Sequence, residues 1–150
     1  MEIITNSEQE TLDLADKYAQ ALKPGDILGL TGQLGAGKTV FAKGLAKGLG
    51  IKQNVSSPTF NLMRLYEVRT PRADPGIKRF CHIDAYRVQS EFEIIDIGAE
   101  DFIGQKDTVT LVEWADNVGE ILPGRTKMVN IEVIDPTQRR ITFKEPKVKS

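Results

Sequence analysis

The chain has one cysteine, one histidine and one tryptophan in 150 residues, and its formal net charge is only −1. A single cysteine cannot close an intrachain disulfide, so Cys81 reads as a small apolar filler in a chain suited to a reducing compartment. A charge so near balance leaves no global electrostatic footprint for nucleic acid. No DNA partner is therefore expected, and RNA would be met through another protein. No apolar run approaches the roughly 18 residues that span a bilayer. The start, Met1-Glu2-Ile3-Ile4-Thr5, lacks the basic opening and apolar stretch of a secretory signal. A cytoplasmic protein with no membrane partner is expected. There is no internal repeat and no low-complexity segment.

The composition is that of an ordinary soluble domain, 40% hydrophobic and 27% charged. Its length suits one domain over residues 1–150, with the basic residues 144–150 as a flexible tail. Strand-like and helix-like segments alternate, which predicts an α/β fold: a mixed, mainly parallel central sheet flanked by helices, with terminal hairpin strands. Ser7 with Glu10 forms a capping box, and Leu12, Ala15, Ala19 and Leu22 follow at helical spacing until Lys23-Pro24-Gly25 stops the run. Residues 26–31 form a short buried-strand pattern. A second helix starts near Lys38 and ends at Gly50. Residues 60–68 and 78–84 are strand-like around a connector, 70–76, whose two prolines and glycine suggest a hairpin with a mobile tip. Ser90 and Glu93 repeat the capping-box pattern before a short helix. Residues 108–112 form another buried strand, and 128–134 with 139–143 form a hairpin around Asp135-Pro136-Thr137-Gln138.

The chemistry is concentrated in Gly32-Gln33-Leu34-Gly35-Ala36-Gly37-Lys38-Thr39, which follows a strand and opens a helix. Glycines at this spacing let successive N–H groups point inward as an anion nest, and the helix adds its positive end to the same phosphates. Lys38 is suited to the β- and γ-phosphates of ATP and the Thr39 hydroxyl to Mg²⁺, and Val40, next in the helix that starts near Lys38, is counted with the loop as nucleotide-binding. Such a loop needs a carboxylate at a neighbouring strand end. Glu113, closing the 108–112 strand, is the candidate for holding the Mg²⁺ shell or polarising the attacking water. Strand alternation sets Phe80, His82 and Asp84 on one face, making Asp84 a metal or water ligand and His82 a structural or ordering residue. Trp114 could shield the site, and Arg87 could meet phosphate or a surface carboxylate. Thr59, in Ser56-Ser57-Pro58-Thr59, lies where a switch hydroxyl can reach back to the γ-phosphate, the alternative being a plain turn and strand start encoded by Ser-Pro.

The phosphate loop, Ser57-Pro58-Thr59-Phe60, His82-Ile83-Asp84-Ala85-Tyr86-Arg87 and Leu111-Val112-Glu113-Trp114 occur in this order, and with them the chain resembles the TsaE family, once called YjeE. The resemblance covers nearly the whole chain. It implies a small P-loop ATPase that binds ATP and Mg²⁺, hydrolyses ATP weakly alone, and works with TsaD and TsaB. That machinery places threonylcarbamoyl on adenosine 37 of tRNAs reading codons that begin with A, so tRNA is met indirectly through the complex. The resemblance assigns metal binding to Thr39 and Glu113, makes Asp84 necessary for hydrolysis, and puts the adenine near Glu8 and Thr137. The connector at 69–78 is longer than is common in the family.

Two other readings share the P-loop. A small-molecule kinase would need an acceptor pocket, for which little chain remains, although Arg64, Arg69, Arg72 and Arg79 could imitate a lid. A non-catalytic ATP-dependent binding module would use the same residues without turnover. No Asn/Thr-Lys-x-Asp element for guanine is present. Nor does any nucleophile–base pattern for acyl transfer accompany the serines and the cysteine.

Overall fold

The alternating segments assemble into one seven-stranded sheet with helices on both faces, as seen in a computed structural model that describes residues 1–33, 35–56, 58, 62–144 and 146. In chain order the elements are β1 (Glu2–Thr5), α1 (Glu8–Ala19), β2 (Ile27–Gly32), α2 (Lys38–Leu49), β3 (Met63–Glu67), β4 (Arg79–Asp84), α3 (Glu91–Asp96), β5 (Thr108–Glu113), β6 (Lys127–Val133) and β7 (Arg139–Lys144). Two 3-10 turns, Ala99–Asp101 and Ala115–Val118, complete the set.

The strand order is β1-β7-β6-β2-β5-β4-β3. The four central strands, β6, β2, β5 and β4, pair in parallel. Antiparallel pairing is confined to the ends: β6–β7 with β1 at one edge, and β3 on β4 at the other. This is the mixed sheet with terminal hairpins that the sequence predicts. β1 is an addition, a four-residue edge strand with one buried residue, too short to produce a readable alternation.

Burial divides along the two faces. Leu28, Leu30, Phe80, Leu111, Val129 and Ile141 meet α1 and α2 on one side. Cys81, Ile83 and Val112 meet Ile94, Ala115 and Val118 on the other. Burial pushes the Cys81 thiol up to about 12, consistent with a packing role. α1 and α2 touch almost backbone to backbone: a side-chain carbon at Gly44 would run into the Leu12 carbonyl, and one at Gly48 would come within 2.5 Å of the Asp16 carbonyl.

The caps work unequally. Ser7 Oγ accepts the Glu10 amide at 3.1 Å, while Glu10 Oε1 accepts the Asn6 amide at 3.2 Å. Ser90 makes no side-chain cap, and Glu93 instead accepts the Gln89 amide at 3.3 Å. The connector between β3 and β4, read from sequence as a hairpin with a mobile tip, folds back onto the helices. Arg72 donates to the Lys47 carbonyl at 2.9 Å and to the Asp16 carboxylate at 3.3 Å, and Ile77 is fully buried. Lys144, placed in the tail by its basic neighbours, is the last residue of β7. Among the described residues no helix is long and apolar enough to cross a membrane.

Candidate functional site

Parallel pairing brings the carboxyl ends of β2, β5 and β4 to one edge of the sheet, where open α/β sheets bind ligands. The register does more than bring them near. Asp84 and Glu113 are directly paired Cα partners, so two carboxylates end adjacent strands side by side. The Ala85 amide donates to the Glu113 carbonyl at 3.0 Å, and Asn117 Nδ2 donates to the Ala85 carbonyl at 2.9 Å. These bonds stitch the two strand ends into one unit.

The phosphate loop faces them across a cavity of about 430 Å³. Gly35 and Gly37 line it with φ of +80° and +102°, and a side-chain carbon on either would project into open space. That open, glycine-lined cradle fits a phosphate chain. Lys38 is buried and bent back on its own loop: Nζ donates to the Gly32 carbonyl at 2.8 Å and the Gln33 carbonyl at 2.7 Å, and lies 4.0 Å above the Trp114 ring. Burial lowers its pKa from the usual lysine value, opposed by the charges of Glu113, Asp84 and Asp116.

Glu113 is only 2% exposed, and its Oε2 accepts a hydrogen bond from His82 Nε2 at 2.6 Å. The histidine thus orders a carboxylate, the less bland of its two sequence readings. Asp84 is half-buried and accepts the Tyr86 amide at 3.0 Å. Thr39, Val40, Asp84, Arg87, Glu113 and Trp114 all line the same cavity. Tyr86 packs against Trp114 with ring centroids 4.8 Å apart. The two non-glycine residues with positive φ among those described, Leu62 at 61° and Trp114 at 58°, both lie on this wall. Backbone strain is therefore gathered at the site.

Among the described residues no three His, Cys, Asp or Glu side chains cluster to hold a metal by themselves. A hydroxyl and two carboxylates beside a phosphate cradle form the incomplete donor set that suits Mg²⁺, which is commonly bound through one or two carboxylates and substrate phosphates.

A second cavity, about 230 Å³, continues from the first along Gly35, Gly37 and Val40. One wall is Asn6, Ser7, Glu8 and Thr11; the other is Pro136, Thr137 and Arg139. Glu8 and Thr137, distant in sequence, thus border one space. Gln33 is exposed and Ala36 fully buried. Leu34 and Thr59 lie outside the described residues. Sequence reading missed Arg139. Its Nε donates to the Ala36 carbonyl at 3.0 Å, a contact across 103 positions that no local pattern announces.

Comparison with known proteins identifies the family and a related fold. The family model described as "Threonylcarbamoyl adenosine biosynthesis protein TsaE" matches residues 5–141. The tRNA threonylcarbamoyladenosine biosynthesis protein TsaE of Bacillus subtilis is 40% identical over 93% of this chain and 82% of its own length. That of Treponema pallidum is 34% identical over 95% and 98%. The crystal structure of Bacillus subtilis YdiB superposes with a TM-score of 0.73 at 35% identity, covering 97% of this chain and 85% of that one. The chain belongs to the TsaE family, whose role is in tRNA threonylcarbamoyladenosine biosynthesis.

Proposed function

We propose that this member of the TsaE family binds Mg²⁺-ATP across the two joined cavities and hydrolyses it to ADP and phosphate, acting with TsaD and TsaB and meeting tRNA through them. The reading rests above all on one observation: Asp84 and Glu113 are register partners on adjacent parallel strands, opposite a phosphate-loop lysine.

Glu8 and Thr137 border the base, and residues 32–39 wrap the phosphates. Thr39, Glu113 and Asp84 are the residues that would hold Mg²⁺. Bound there, the ion would neutralise charge on the phosphate oxygens. Lys38, already desolvated, gives its charge to the β- and γ-phosphates. His82 fixes Glu113, so that this carboxylate keeps one orientation. Asp84, more exposed than Glu113, orients water for attack on the γ-phosphorus as the bond to the β-phosphate oxygen breaks. Thr59 is the candidate for sensing that phosphate. Hydrolysis then resets the partner complex between rounds; the chain carries no recognisable acyl-transfer constellation of its own.

The test is reconstitution of tRNA threonylcarbamoylation with TsaD and TsaB, with and without this protein, while following phosphate release. Multiple-turnover yield should depend on its presence. Unchanged yield without it would refute the reset, and phosphate transfer to a nucleoside or sugar would replace ATPase with kinase.

A further inference from the structure

The base cavity and the catalytic lysine are joined by a short chain of hydrogen bonds. The turn between β6 and β7 is stiffened from within: Asp135 Oδ1 accepts the amides of Thr137 and Gln138 at 2.9 and 2.8 Å. Gln138 Nε2 then reaches across to Asn6 Oδ1 at 2.8 Å, tying together the two walls of the base cavity. From the same turn, Arg139 Nη1 holds the Asp135 carbonyl at 2.9 Å and the Gln138 carbonyl at 3.0 Å, while its Nε holds the Ala36 carbonyl. The Ala36 amide in turn donates to the Gln33 carbonyl at 3.0 Å, the acceptor that Lys38 Nζ also engages at 2.7 Å.

We propose that Arg139 is a positioning residue that transmits occupancy of the base cavity to the phosphate loop and Lys38. The proposal rests on the nucleotide reading above and goes beyond it, because it concerns how the halves of the site communicate. A base seated between residues 6–8 and 136–137 fixes the spacing of the two walls. The guanidinium, with donors in a rigid fork, carries that spacing to Ala36. From there two bonds lead to the lysine. The phosphate loop is thereby best ordered when the base is already in place, which favours a complete nucleotide over free polyphosphate.

The experiment measures binding of Mg²⁺-tripolyphosphate to the full chain by calorimetry, with and without saturating adenosine. In the natural protein adenosine should tighten tripolyphosphate binding by about fivefold or more, the lower range of coupling between sites. In Arg139→Gln the enhancement, read as the ratio of tripolyphosphate affinities with and without saturating adenosine, should fall to within about twofold of none, whatever adenosine's own affinity becomes. Arg139→Lys keeps one charged donor but loses the fork, and should show intermediate coupling; it also serves if the glutamine variant does not fold. Undiminished enhancement in both variants would overturn the proposal, as would its absence in the natural protein. A purely structural arginine would lower melting temperature and both affinities together while leaving the enhancement intact, and that result would overturn it too. Failure of the natural protein to bind Mg²⁺-ATP at all would bring down the nucleotide reading itself, and the coupling with it.

Discussion

The two cavities that meet at Gly35 and Gly37 are built on opposite plans. The phosphate side comes from the interior of the sheet. Its lysine opens a helix packed on the core, and its carboxylates end the adjacent, buried strands β4 and β5. The second cavity, where the proposed base would sit, comes from the periphery, from the start of α1 and the turn before β7, segments about 130 residues apart that are joined by the 2.8 Å Gln138–Asn6 bond. The interior half is held by strand pairing and by packing on the core. The peripheral half depends on side-chain bonds that single substitutions can cut. Binding strength and chemistry should therefore respond to different residues.

The largest effect should come from Lys38→Ala. ATP hydrolysis is expected to fall by about 10²–10³-fold, the scale of losing a preorganised charge at a phosphate. Adenosine binding should change by no more than about twofold. An equal loss of both, measured by calorimetry, would dissolve the distinction between the halves.

Gly44→Ala probes the other side. The new methyl meets the Leu12 carbonyl, so α1 must move off α2 at a cost of about 1–3 kcal/mol in denaturant unfolding. Because α1 follows directly on Asn6 and Ser7, adenosine affinity should drop more than tripolyphosphate affinity. Unaltered stability would mean that the close helix contact carries no weight.

At neutral pH the smallest effect concerns Cys81, which sits on β4 three residues before Asp84 and on the face away from α2. Its thiol pKa rises from 9.0 to about 12 on burial. Below pH 9 folded and unfolded chains both keep the proton, and the shift has no influence. Above that the unfolded chain ionises first, so stability falls as pH rises toward 12, by about 1.4 kcal/mol per unit. Cys81→Ala should remove that slope in urea titrations while leaving hydrolysis at neutral pH unchanged. A slope that persists would assign the alkaline loss elsewhere.

The same contrast explains what could be read in advance. The phosphate side is written in contiguous motifs, with a loop whose glycines face a helix start and carboxylates that close apolar strands. Periodicity alone set Asp84 on the His82 face and marked Glu113 as the strand end. That these two residues are paired neighbours depended on strand order, which no local pattern carries. The proposed base side rests on family resemblance alone, since nothing in the residues around Glu8 or Thr137 points to the other, although both border the second cavity. Arg139 was invisible for the same reason: its guanidinium meets a carbonyl 103 positions away. The connector was legible as the turn of the β3–β4 hairpin, but proline and glycine do not say whether a turn docks, and Arg72 bonds it to α1 and α2.

The central claim is that the interior half performs chemistry and does not merely grip phosphate. Asp84→Asn tests it most directly, by following ATP binding and phosphate release on one sample while counting rounds of tRNA modification with TsaD and TsaB. The expected result is ATP affinity within about threefold of the natural protein, hydrolysis lower by about 10²-fold, and no rounds beyond the first. Repeated modification at the natural rate by a variant that binds ATP but does not hydrolyse it would contradict the account.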